Sequence, residues 1–248
     1  MKEQKLIDEL NRFDSDESYA RRLCEVPAEG ELCEQDLRYF ECAKKEVREG
    51  IVKKLFYVQR WNKNPSSGVP ARFSDASFFN FKCSSGQEQE RLEKVIRFVE
   101  KENNDGILLM TGSKGTGKTH LGVAAVRDVC GFYVGMEDLI YKVESSMNFK
   151  SPQTEEEVFE DFSKKPFLVI DEIGRSLKRE KETEILSYIL RKRYDNMLPT
   201  ILISNLDKTT LLKSLGGAVV DRLCEVGEYI EFTGDSYRMK KREERTAA

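Results

Sequence analysis

Ile107-Leu108-Leu109-Met110-Thr111-Gly112-Ser113-Lys114-Gly115-Thr116-Gly117-Lys118-Thr119-His120 decides the fold of this chain. Four apolar residues read as a buried strand, and Gly112 to Thr119 match the pattern G-x-x-x-x-G-K-[ST]. From His120 to Val129, Leu121, Ala124, Ala125 and Val129 recur at helical spacing. Strand, loop and helix stand in the order that an anion site needs, because the helix N-terminus must point at the phosphates. In such a loop the backbone N–H groups of Gly112, Ser113, Lys114, Gly115, Thr116 and Gly117 cradle phosphate. Lys118 reaches the β- and γ-phosphates, and the Thr119 hydroxyl ligates Mg²⁺. ATP and Mg²⁺ are therefore the expected ligands. His120 is expected to sit beside the loop as a packing residue rather than a catalyst.

The apolar run at Phe167-Leu168-Val169-Ile170 ends in Asp171-Glu172. A strand in this position carries the two acids to the carboxyl edge of the sheet, where α/β proteins bind ligands. Asp171 is placed to hold Mg²⁺, and Glu172 to polarise the water that attacks the γ-phosphate.

The rest of the chain repeats the same alternation. Helices are predicted at 88–101, 136–147, 155–162 and 181–196, and strands at 131–134, 200–203 and 228–232. This pattern predicts a five-stranded parallel sheet between helical layers. Upstream, Leu6, Ile7, Leu10 and Phe13 mark a short amphipathic helix. Leu37, Phe40, Val47, Ile51, Leu55 and Val58 mark a long one over 33–61, which Gly50 weakens by roughly 1 kcal/mol relative to Ala. Asn62 to Pro70 crowds Pro, Gly, Ser and Asn without apolar period and reads as a linker. The expected domains are a small helical region, 1–67, and an ATPase domain, 68–248.

The 248 residues carry a formal net charge of −3, whereas a dedicated duplex-DNA binder is usually basic. Any contact with nucleic acid must then be local. Residues 1–36 hold five Lys/Arg against eleven Asp/Glu, and residues 37–63 hold eight against three. This reversal reads as a partner surface or as two solvated helical faces. No apolar run is long enough for a bilayer, so a cytoplasmic protein with no membrane contact is expected. Cys24, Cys33 and Cys42 are evenly spaced, but the one histidine, His120, stands beside the phosphate loop. A local fourth zinc ligand is missing, and reduced thiols are expected.

Further segments make the reading specific. They are Gly68-Val69-Pro70-Ala71-Arg72-Phe73, Phe78-Phe79-Asn80-Phe81, Asp171-Glu172-Ile173-Gly174, Arg191 to Asn196, Pro199 to Leu206, Gly216-Gly217 with Val220-Asp221-Arg222-Leu223, and Gly234 to Arg238. Together they resemble the AAA+ ATPases of the bacterial helicase-loader group, the DnaC/DnaI type, with the transposition ATPase IstB as a close cousin. The resemblance covers about 68–238. It implies that Asn205 orients the attacking water with Glu172. It implies that Arg222 is an arginine finger reaching a neighbouring subunit's γ-phosphate, and that Arg238 is a sensor-II-like nucleotide contact. Sixteen residues follow Phe232, too few for the helical lid of many AAA+ proteins, so self-association is expected to complete the site.

Two functions follow from the resemblance. One is an ATP-dependent loader that grips a replicative DNA helicase through the N-terminal helices and binds single-stranded DNA. The other is a transposition ATPase that binds duplex DNA and recruits a transposase. A small-molecule phosphotransferase fits less well, because Glu172 with Asn205 suits attack by water. Met147-Asn148-Phe149-Lys150 and Ser176 to Arg179 are the expected DNA contacts.

Overall fold

The computed structural model describes residues 2–16, 20, 43–51, 68–101, 105–148, 150–237 and 239. By internal contacts the chain divides into two units, Met1–Pro65 and Ser66–Ala248. In the first, α1 (Lys2–Ser15) turns Phe13 inward, where it is buried with Ala20 and Ile51 beside Leu10, Ala43 and Val47. Residues 43–51 are helical, and Arg48 holds Asp14 through two hydrogen bonds of 2.9 and 3.1 Å. The remainder of the expected long helix, the linker from Asn62 to Ser67, and Cys24, Cys33 and Cys42 lie outside the described residues.

The second unit is built on five strands: β1 (Ile107–Gly112), β2 (Phe132–Gly135), β3 (Leu168–Ile173), β4 (Thr200–Ser204) and β5 (Gly227–Phe232). They stand in the order β2-β3-β4-β1-β5, and every pairing is parallel. Helices α2 (Gly86–Glu100), α3 (Lys118–Val129), α4 (Met136–Ser146), α5 (Glu155–Lys164), α6 (Arg179–Asp195), α7 (Lys208–Leu215) and α8 (Gly217–Val226) cover the sheet.

Strand residues alternate between two cores, as the period of two demands. Leu108, Met110, Val169, Ile201 and Ile203 pack under α2 and α3. Ile107, Leu109, Leu168, Ile170 and Leu202 face α4 to α8. Burial on both sides explains why these strands read as unbroken apolar runs. The helix that follows β1 lies on one face and those that follow β2, β3 and β4 on the other. The crevice at the carboxyl ends of β1, β4 and β3 is therefore the topological switch point.

Arg193 is fully buried in the last turn of α6. Its guanidinium donates to Thr200 Oγ1 and to the carbonyls of Phe162, Lys165 and Pro199. Burial pushes its pKa down to about 9, which still leaves it charged at neutral pH. It locks the start of β4 in place and has no part in the phosphate site.

Candidate active site

The phosphate loop leaves β1 at Gly112 and enters α3 at Lys118. Gly115 (φ +84°) and Gly117 (φ +97°) occupy the left-handed region, which favours glycine. A Cβ on Gly115 would lie 2.1 Å from Ser236 Oγ, and one on Gly117 would lie 2.5 Å from the Phe81 ring. The glycines thus let two neighbouring segments close on the loop. The Tyr237 N–H donates to the Gly115 carbonyl at 3.0 Å. Lys118 is 4% exposed, and its Nζ donates to the Gly112 and Ser113 carbonyls at 2.7 Å each. The cation is held at the mouth of the loop. Thr116 Oγ1 donates to the Ser113 carbonyl at 2.8 Å, which closes the turn.

Beside the loop a cleft of about 620 Å³ is lined by Arg72, Phe73, Phe81, His120, Asp235 and Tyr237 among others. Aromatic walls with a few polar groups suit a nucleoside. His120 lies in α3 with its ring centroid 5.5 Å from that of Phe81. Its Nε2 is 3.0 Å from the Ser77 carbonyl and must be the donor, since a carbonyl only accepts. Burial lowers its pKa, so it stands as a neutral packing group. Buried Arg127 donates to the Ala76 carbonyl at 2.7 Å, tying the segment before α2 to α3 a second time.

Strand β4 separates β1 from β3, yet Thr119 Oγ1 donates to Asp171 Oδ2 at 2.7 Å across the sheet edge. Asp171 is 2% exposed. It also accepts from the Tyr133 hydroxyl at 2.9 Å and from the Glu172 N–H at 2.6 Å. Burial raises its pKa against the pull of these three donors. A hydroxyl and a carboxylate in direct contact at a phosphate loop are the hard oxygen donors that Mg²⁺ takes, so the residues present fit that ion.

Glu172 follows on a bulge between Ile170 and Ile173, with φ +62°. The bulge and the left-handed turn take its side chain out of the alternation, and it is half-exposed where Asp171 is buried. Its carboxylate pairs with Arg175 at 2.7 Å. Asn205 follows the last residue of β4, half-buried, on the strand between β1 and β3. The sheet order thus brings Lys118, Thr119, Asp171, Glu172 and Asn205 to one crevice.

Arg222 stands apart. It sits on α8, its guanidinium lies 5.3 Å over the Tyr194 ring, and it is not among the residues lining the cleft. Arg238 and Phe149 lie outside the described residues.

The expected DNA loop past β3 needs a correction. Ser176 is buried and its Oγ accepts the Lys178 N–H at 3.1 Å, while Lys178 Nζ pairs with Glu144 at 2.5 Å. The turn consumes the hydroxyl and one of the two cations, and Leu177 between them is fully exposed. Sequence reasoning also passed over Tyr133, Glu182 and the phosphate-loop contact of Phe81. An aromatic among apolar residues, or an acid within the charged run Arg179 to Glu184, carries no local signal of such a contact.

The IstB-like ATP binding protein family matches residues 67–245. The chain is 30% identical over 183 residues to the replicative helicase loader DnaC of Escherichia coli strain K12, covering 70% of this chain and 74% of that protein. It is 26% identical over 219 residues to a putative ATP-binding protein of insertion sequence IS21 from Pseudomonas aeruginosa, covering 82% and 81%. Among solved structures, the DnaC helicase loader superposes with a TM-score of 0.59 at 24% identity, over 66% of this chain and all of that one. The replication initiator DnaA bound to AMPPCP and single-stranded DNA gives 0.57 at 21%, over 69% and 54%. These likenesses establish the AAA+ fold.

Proposed function

Since the chain belongs to the IstB-like ATP-binding family, we propose that it is an ATP-hydrolysing loader that holds a replicative DNA helicase and delivers it to single-stranded DNA. The observation that carries the ATPase reading is the Thr119–Asp171 contact beside the pinned Lys118. It brings a cation, a hydroxyl and a buried carboxylate to the point where a helix N-terminus meets phosphate. The loader reading draws on the relatives named DnaC, which match about three quarters of their own length.

In this reading the loop N–H groups and Lys118 bind the β- and γ-phosphates. Thr119 and Asp171 would hold Mg²⁺, which screens phosphate charge. Tyr133 keeps the Asp171 carboxylate facing Thr119. Glu172 accepts the proton of the attacking water, and Asn205 orients that water from the adjacent strand. Arg222, outside its own cleft, serves the γ-phosphate of a neighbouring copy, which ties hydrolysis to self-association. Phe81, His120 and Tyr237 enclose the nucleoside.

Single-stranded DNA is met at Tyr141 and Met147, 71% and 54% exposed, and at the fully exposed Leu177. Lys178 bonded to Glu144 joins the two segments. Residues 1–67 grip the helicase.

The second reading, a transposition ATPase on duplex DNA, draws on the likeness to the IS21 protein, which is 26% identical over 219 residues against 30% over 183 for the loader.

Purified Glu172→Gln should bind ATP as the native chain does and hydrolyse it about 10²–10⁴-fold more slowly, the range for loss of a general base. Loaded with ATP, it should retain the replicative helicase of the same genome in a pull-down, and removal of residues 1–67 should abolish the capture. Near-native turnover would remove Glu172 from its role. Capture undiminished by the truncation would remove the N-terminal region from its own.

A further inference from the structure

We infer that Tyr194, tethered by Glu225, is a positioning residue that presents Arg222 to the neighbouring subunit; the inference rests on the proposed role of Arg222 as a finger acting in trans. Tyr194 lies in the last turn of α6, while Arg222 and Glu225 lie one turn apart on α8. Three contacts define the arrangement. The Arg222 guanidinium lies over the Tyr194 ring, 5.3 Å from its centroid. Its Nη1 donates to the Ala218 carbonyl one turn back at 2.7 Å. The Tyr194 hydroxyl donates to the Glu225 carboxylate.

The chemistry of this seat fits a finger better than an ordinary surface arginine. A long side chain loses considerable rotamer entropy when it is fixed, so an arginine that must meet a phosphate gains from being fixed beforehand. Here a ring face lies under the guanidinium and a backbone carbonyl holds one of its terminal nitrogens. The carboxylate of Glu225 is spent on the phenol, and among the described residues no ion pair engages Arg222. A finger held by a salt bridge would have to break it before meeting a phosphate. One held by a ring face and a carbonyl keeps its full charge for the γ-phosphate. The Arg222 Nε is buried without a hydrogen-bond partner, so the seat does not satisfy every donor of the side chain.

The test uses full-length chains mixed in pairs, with ATP turnover as readout. Arg222→Ala lacks the finger, and Lys118→Ala cannot bind ATP but can lend one. Mixed, they should recover turnover at the interfaces they share. When Tyr194→Ala is added to the Lys118→Ala donor, the recovered rate should fall by about two- to fivefold, the worth of an exposed cation–π contact. When the same change is added instead to the Arg222→Ala chain, the recovered rate should stay as it was. Binding of a fluorescent ATP analogue by Arg222→Ala with and without Tyr194→Ala confirms that the nucleotide site is folded.

A merely structural tyrosine would lower recovery equally in both placements, or in neither, and either result overturns the inference. If the simple Arg222→Ala and Lys118→Ala mixture recovers nothing, the trans assignment itself fails and the inference falls with it. The two failures are thus told apart by the first mixture alone.

Discussion

Glu172 carries the proposed chemistry from a backbone angle that most residues avoid, and what keeps it there comes from β4 and α6. A non-glycine residue at φ +62° persists only where its surroundings over-determine it, at a cost of about 1–3 kcal/mol. Two groups fix the chain just after it. Ser204 Oγ donates to the Ile173 carbonyl at 2.7 Å, and Glu182, 4% exposed, accepts the Gly174 N–H. The other oxygen of Glu182 has no hydrogen-bond partner. Burial raises the Glu182 pKa against the Gly174 and Ser176 N–H groups and the charge of Arg179, and the charge of Glu137 adds a little to the rise. The folded chain therefore holds this proton more tightly than the unfolded chain does. Its stabilising contribution is present below the unfolded pKa and is lost as pH rises through the raised folded value. Glu182→Gln keeps an acceptor for Gly174 and removes the titration. Melting temperatures of the two proteins, measured from about pH 4 to pH 8, should show the native chain gaining on the variant toward acid. Any fixed cost of the new amide shifts one curve bodily and leaves this divergence intact. Parallel curves would remove Glu182 as a titrating clamp.

The elements themselves were legible wherever a local rule fixed them. The phosphate loop, the acid pair and strands β1 to β4 follow from apolar runs and their punctuation, because a buried parallel strand needs a continuous apolar stretch; edge strand β5 instead sets exposed Glu228 and Glu231 among Tyr229, Ile230 and Phe232. Helix α5 is an equally local case. Thr154 Oγ1 accepts the Glu157 N–H at 3.2 Å, and Glu157 returns the bond to the Thr154 N–H at 2.8 Å, a capping box. Thr154→Ala should lower stability by about 1 kcal/mol, read in urea denaturation, and should leave ATP affinity unchanged because α5 lies away from the cleft. A loss of nucleotide binding would mean that α5 supports the site. Other features lay beyond the sequence reading. Helix α7, from Lys208 to Leu215, went unread, although Asp207 caps it by accepting the Thr210 N–H at 3.0 Å. Its eight residues make little more than two turns, and only Leu211 and Leu215 are buried, too few to mark an apolar face. The contacts of Tyr133 with Asp171 and of Phe81 with the phosphate loop join segments about 40 residues apart. The sheet order creates them, and no spacing along the chain encodes them. Ser176 shows the reverse error: composition put its hydroxyl in a binding loop, whereas the turn uses it to hold the Lys178 N–H.

For the whole molecule, charge decides how DNA can be held. A net charge of −3 gives no broad attraction to a polyanion, so affinity must come from a few phosphate contacts together with stacking. Stacking is worth about 1–3 kcal/mol per base and is open only to unpaired bases. Tyr141 on α4 and Leu177 past β3 offer exposed apolar groups on segments joined by the Lys178–Glu144 pair. Leu177 is five residues from Glu172, so a strand seated there would touch the turn that carries the proposed catalytic acid. Single-stranded oligonucleotides should therefore bind more tightly than duplexes of the same sequence, and more tightly with ATP than with ADP. Fluorescence anisotropy across a salt series should give a slope corresponding to about two to four phosphates per subunit, close to −0.7 per phosphate for single strands. Tyr141→Ala should weaken single-strand binding about five- to a hundredfold and barely change that slope, because it removes a ring and no charge. A preference for duplex that Tyr141→Ala leaves untouched would discard this surface. It would also turn the assignment toward the transposition reading.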